Sequence, residues 1–254
     1  MIEEETKFAF ECAGATGDIV HVNDLIDGVK KFKDYQILAF PGGFSFGDDT
    51  GSGKGLANKI KNNLMEELLL FIDHRNLAIG ICNGFQVMTS LGLLPALDEN
   101  YNAQQVALTH NTSARYECRW VTLLSTSKKC VWSKDMDVFE VPVAHGEGNF
   151  YAPEDTLVQL RAQDQIVFKY AMPDGSTARQ KFPHNPNGSL ADIAAICDGT
   201  GRILGMMPHP ERHLDFTQHY AWTAINDKLK REGKQIPQVG PGLQIFKNGV
   251  DYFK

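Results

Sequence analysis

The sequence predicts an α/β protein built on a doubly wound, mostly parallel sheet, and three observations carry that prediction. Strand-like apolar runs alternate with amphipathic runs through the first half of the 254 residues. One strand-like run, Leu77 to Ile81, passes through Cys82-Asn83-Gly84 directly into a helix-like run. The chain is also long enough, and at 43% hydrophobic apolar enough, to bury a sizeable core. No linker-like stretch divides residues 1–232, which read as one domain. Residues 233–254 are rich in Gly and Pro and read as an extended tail.

The elements follow in order. Lys7 to Ala13 reads as a helix and Ile19 to Val22 as a short strand. Asn23-Asp24 can cap a helix running to Phe32. Gln36 to Phe40 is a strand that ends in Pro41-Gly42-Gly43, and Leu56 to Asp73 reads as one long amphipathic helix. Leu77 to Ile81 is a strand and Phe85 to Leu93 a helix. Further on, Arg119 to Leu124, Val138 to Ala144, Leu157 to Leu160, Ile166 to Tyr170, Asp192 to Cys197 and Gly201 to Met207 suit strands. Asp215 to Arg231 reads as the last helix.

Composition excludes several function classes. The formal net charge is −6 and no dense Lys/Arg block occurs, so nucleic acid is not an expected partner. No stretch approaches the roughly 18 apolar residues of a membrane span. The start, Met1-Ile2-Glu3-Glu4-Glu5, has the wrong charge for a secretory signal. The five cysteines are odd in number, widely spaced and without a C-x-x-C, which argues against a disulfide framework and a cysteine zinc site. A reducing, cytoplasmic setting is expected.

The chemistry centres on Cys82. Gly-x-Cys-x-Gly between a strand and a helix is how a nucleophile is presented on a sharp turn. A thiol at a helix start feels the positive end of the dipole, which favours thiolate. The bland alternative is an ordinary buried cysteine. A nucleophilic cysteine needs a base, and the base an orienting group. Pro208-His209-Pro210-Glu211 supplies both. Each proline pushes the residue before it toward an extended conformation, so His209 and Glu211 would project to one side. A structural His–Glu bond is the alternative. Glycine in Pro41-Gly42-Gly43 would let backbone N–H groups turn inward and, with the Asn83 N–H, form an oxyanion hole; a simple tight turn is the alternative.

Three competing patterns are weaker. Gly43-Phe44-Ser45-Phe46-Gly47 matches G-x-S-x-G and keeps a serine hydrolase through Ser45 as an alternative, but no helix follows it at once. Gly51-Ser52-Gly53-Lys54-Gly55 lacks the spacing of a phosphate-binding loop. His209, Glu211 and His213 could be read as a metal cluster, but Pro210 interrupts it and no second ligand cluster accompanies it, so no metal is expected.

The stretches PGGFSFGDDTGSGK (41–54), GICNGFQ (80–86), LTHNTSARYECRWV (108–121), VAHGEGNFY (143–151) and GRILGMMPHPERH (201–213) resemble the class I glutamine amidotransferases. Within them, the chain is similar to the branch that serves a synthase of purine biosynthesis. The resemblance implies a three-layer, flavodoxin-like class I glutaminase fold. It implies that Cys82 attacks the side-chain amide of L-glutamine to form a thioester, with His209 and Glu211 completing a triad. It places Gly43 and Asn83 at the oxyanion hole. It assigns glutamine binding to Gly42, Gln86, His145, Gly146 and Glu147. Asn111, Ser113, Arg115 and Glu117 match a family signature, either at a synthase interface or in loop structure. The partners implied are a large synthase subunit, which would hold ATP and Mg, and a small accessory subunit; no cofactor is expected in this chain. Other cysteine-dependent amidohydrolases or peptidases of related fold remain the alternative. Family members begin with an inner strand that has no counterpart before Glu4-Glu5-Thr6, so the sheet is expected to lack it and the native polypeptide to be longer at its N-terminus.

Overall fold

The structure is a computed structural model that describes residues 2–44 and 51–254. Its helices are α1 (Ile2–Cys12), α2 (Val22–Ile26), α3 (Lys54–Asn63), α4 (Met65–Asp73), α5 (Asn83–Leu91), α6 (Glu154–Ala162), α7 (Trp222–Arg231) and α8 (Gly242–Asp251). Its strands are β1 (Ile37–Phe40), β2 (Leu77–Ile81), β3 (Ala107–Thr109), β4 (Glu117–Ser125), β5 (Val138–His145), β6 (Asn149–Tyr151), β7 (Ile166–Ala171), β8 (Ile193–Cys197) and β9 (Ile203–Met206). The main sheet has seven strands in the order β1-β2-β9-β8-β7-β4-β5, and β3 and β6 form a separate antiparallel pair.

Strands β1, β2 and β9 pair in parallel, with Phe40 opposite Gly80 and Ile81 opposite Met206. From β9 onward every pairing is antiparallel. Five of the seven strands nevertheless run in one sense, since only β8 and β4 are reversed. The C-terminal ends of β1, β2, β9 and β5 therefore face the same edge of the sheet, where α/β folds place their ligands.

Burial explains the sequence pattern. β2, β8 and β9 are buried at every residue and read as unbroken apolar runs. β5, at the sheet edge, alternates and buries every second residue. Helix α5 lies on β1, β2 and β9. A Cβ on Gly84 would overlap the Phe40 carbonyl oxygen, so glycine there allows the helix to seat. At the other edge, no strand pairs with the outer side of β1 among the described residues. A cavity of about 710 Å³ lies there, walled by β1, α1 and residues 15–20.

Several expected elements differ. Residues 19–21 are not a strand; the His21 ring caps a one-turn helix, which stops at Ile26 because Gly28 turns with φ +72°. The long helix over 56–73 is two helices, broken at Leu64 (φ −135°, ψ 3°). Leu157 to Leu160 is helical: Pro153 precedes α6, Glu154 and Asp155 stand in its first turn, and Leu157 and Leu160 bury one face. The helix expected from Asp215 starts at Trp222. Asp215 and Gln218 instead form a capping box on a short 3₁₀ turn. The tail is not extended throughout. Residues 242–251 form α8, which buries Leu243, Ile245, Phe246 and Val250. Phe246 meets Phe10 of α1 edge to face at 5.0 Å, so both ends of the chain join one core.

Candidate active site

The nucleophile turn forms where buried β2 meets α5. Cys82 has φ 52° and ψ −107°, a conformation that costs a non-glycine residue about 1–3 kcal/mol. Neighbouring segments hold it there. Its N–H donates to the Met206 carbonyl of β9 at 2.7 Å, and its carbonyl accepts the Phe85 N–H at 3.0 Å. Cys82 is 8% exposed, and its Sγ donates to the Ala144 carbonyl of β5 at 3.8 Å.

The acid–base pair comes from the segment after β9. His209 Nδ1 lies 2.6 Å from Glu211 Oε1, and neither side chain is exposed. The extended course expected from the prolines ends at His209, where Pro210–Arg212 turns as a 3₁₀ helix that brings the carboxylate under the ring. The His209 N–H donates to the Pro142 carbonyl at 2.8 Å, which fastens the turn to β5. The curl of the sheet thus brings β5 back to the nucleophile. Burial alone lowers the His209 pKa, but the Glu211 carboxylate and the Cys82 sulfur raise it further, to about 10. The imidazolium is the favoured form of this ring.

The turn after β1 closes the site. A Cβ on Gly42 would lie 2.9 Å from His209 Cε1 and 3.4 Å from Cys82 Cβ. Gly43 has φ +106°, which permits its amide to turn inward. Asn83 opens the first turn of α5, and its side chain donates to Gln86 Oε1 at 3.1 Å. Gln86 Nε2 in turn donates to the Glu147 carbonyl at 2.6 Å. A cavity of about 1460 Å³ opens on Cys82; Gly42, Gly43, Gln86, Gly146 and Glu147 are in its wall.

The structure therefore brings together Cys82, His209, Glu211, Gly42, Gly43, Asn83, Gln86 and the 145–147 loop. Ser45 lies outside the described residues. His213 is turned away from the triad: its Nδ1 meets the Glu140 carbonyl at 2.6 Å and its ring packs on Trp120. Asn111 and Ser113 serve loop structure, since Asn111 bonds the Arg115 and His145 carbonyls and Ser113 bonds Glu117. Asn187, Tyr170 and Ser189 were not expected from sequence. They form a buried network beside His145.

The sequence model of a family described as "CobB/CobQ-like glutamine amidotransferase domain" matches residues 1–253. The chain belongs to this family. The glutamine amidotransferase is 51% identical over 252 residues to "Phosphoribosylformylglycinamidine synthase subunit PurQ" of Methanococcus maripaludis, covering 99% of this chain and 93% of that one. It is 41% identical over 249 residues to the protein of the same name from Dehalococcoides mccartyi, covering 98% and 91%. Among solved structures, "Structure of PurLQS from Thermotoga maritima" matches with TM-score 0.69 and 24% identity, covering 99% of this chain and 92% of that one; this likeness concerns the fold. The enzyme is accordingly of the glutamine amidotransferase type.

Proposed function

We propose that this chain is the glutaminase subunit of a phosphoribosylformylglycinamidine synthase, hydrolysing L-glutamine and handing the ammonia to a synthase partner. The observation that carries this is the arrangement of Cys82 on its strained turn, the buried His209–Glu211 pair and the Gly42-Gly43 turn around one cavity. The names of the close relatives supply the acceptor side of the proposal.

Cys82 gives its thiol proton to His209 Nε2, and Sγ adds to the side-chain amide carbon of glutamine. The N–H groups of Gly43 and Asn83 hold the oxyanion. His209 gives a proton to the leaving nitrogen, ammonia departs and a thioester remains. His209 then takes a proton from water, which attacks the thioester, and glutamate leaves as the thiol re-forms. Glu211 keeps the imidazole oriented and stabilises its charge. Gln86, Gly146 and Glu147 line the place for the amino-acid end of the substrate, with Gly42 against the triad. The binding of ATP and Mg, and the amidation they drive, belong to the large synthase subunit, with a small accessory subunit completing the assembly.

The test is Cys82→Ala in the assembled complex. Glutamine-dependent product formation should vanish while ammonia-dependent formation persists. Retained use of glutamine would overturn the assignment, and loss of activity on Ser45→Ala with thiol alkylation tolerated would favour a serine hydrolase.

A further inference from the structure

The His145 ring borders the catalytic cavity, yet the residue is only 3% exposed. Its surroundings fix its chemistry. Asn111 Nδ2 donates to the Arg115 and His145 carbonyls, each at 2.8 Å, so Asn111 Oδ1 is oriented as an acceptor. That oxygen accepts the Gly148 N–H at 3.1 Å and lies 3.1 Å from His145 Nδ1. Nδ1 must therefore carry the ring proton.

The opposite side is settled by Asn187. Its Oδ1 accepts the Ser189 hydroxyl at 2.7 Å, and its Nδ2 donates to the Gly148 carbonyl at 2.8 Å and to Tyr170 Oη at 3.1 Å. The same Nδ2 lies 3.5 Å from His145 Nε2, which, with the ring proton on Nδ1, is the unprotonated nitrogen. Gly148 packs against the ring so closely that any Cβ there would overlap it. Nδ1 is hydrogen-bonded, Nε2 is shut in beside the Asn187 amide, and one face is covered. Burial first, and the charge on His209 second, lower the His145 pKa to about 3, which keeps the ring neutral.

The loop held in this way presents two carbonyls to the nucleophile helix. Ala144 O accepts from Cys82 Sγ at 3.8 Å, and Glu147 O accepts from Gln86 Nε2 at 2.6 Å.

We propose that His145 is a positioning residue: held between Asn111 and Asn187, it sets the Ala144 and Glu147 carbonyls against Cys82 and Gln86 and does not itself bind glutamine. The proposal rests on the glutaminase assignment for its kinetic arm alone.

The experiment compares wild type with His145→Ala, His145→Asn and Asn187→Ala. Glutamine turnover is measured in the assembled complex, and iodoacetamide modification of Cys82 in the full chain. His145→Ala should lower kcat by about 10-fold to 100-fold, as a small misplacement of reacting groups does, with KM changed by less than about 3-fold. It should slow alkylation of Cys82 as well. Asn187→Ala should shift both in the same direction. His145→Asn, whose amide N–H can replace Nδ1–H, should restore most of both.

A rise in KM with kcat and alkylation unchanged would make His145 a substrate ligand and overturn the proposal. Wild-type behaviour in all three variants would overturn it too. If His145→Ala fails to fold, Asn187→Ala and His145→Asn carry the same comparison. If wild type modifies at Cys82 but never hydrolyses glutamine, the glutaminase assignment fails while the alkylation rates still decide the role of His145.

Discussion

At the scale of single residues, the chemistry depends on charge held without water. Glu211 and His209 form a fully buried pair, and the carboxylate keeps the imidazole protonated against the cost of burial. Glu211→Gln removes that charge while keeping the shape. It should lower kcat by about 10²-fold to 10⁴-fold, the range set by losing a properly protonated acid–base group. Stability should respond as well. The raised His209 pKa means that the folded state holds a proton which the unfolded chain releases near 6.5. This stabilisation is complete below about pH 6.5 and is lost as pH rises toward 10. Thermal melts should show an alkaline decline in wild type that is smaller in Glu211→Gln. His145 acts in the opposite sense: its lowered pKa costs stability as pH falls from 6.5 toward 3.

At the scale of elements, the parts nearest the chemistry were the most legible. Gly80 to Gly84, Pro41-Gly42-Gly43 and Pro208 to Glu211 each require particular residues and lie around one cavity, although Glu211 stands on a 3₁₀ turn and not on the extended segment expected. Short apolar runs carried less information. Leu157 to Leu160 suits a strand or one face of a helix, and only Pro153 and the acidic first turn of α6 separate the two. Helix α8 was hidden because Gly240, Pro241 and Gly249 lie within or beside a ten-residue segment. The partners of His145 were invisible for another reason: Asn187 lies 42 residues away and no local pattern links them. Helix α8 is nonetheless part of the core. Phe246 is fully buried against Phe10, and Phe246→Ala should destabilise the protein by about 3–5 kcal/mol in denaturant unfolding.

At the scale of the whole molecule, topology gathers the site. β1, β2, β9 and β5 end at one edge, and each hands over one functional segment: the glycine turn, Cys82, His209 with Glu211, and the 144–148 loop. Because β5 stands at the far end of the sheet order, its loop reaches the nucleophile only through the curl of the sheet. Cys82 Sγ donates to the Ala144 carbonyl of β5, and the same sulfur helps to raise the His209 pKa, so one thiol joins two arms of the site. As the proposed glutaminase subunit of a larger assembly, the isolated chain should show glutaminase activity well below that of the assembled complex, as compared by glutamate release with and without the synthase partner.

The central claim is that Cys82 attacks the side-chain amide of glutamine. Intact-mass and peptide mass spectrometry after treatment with a glutamine-analogue alkylator tests it most directly. A single adduct is expected, located on Cys82 and suppressed by L-glutamine. An adduct at another residue, or labelling of Cys82 that glutamine does not reduce, would contradict it.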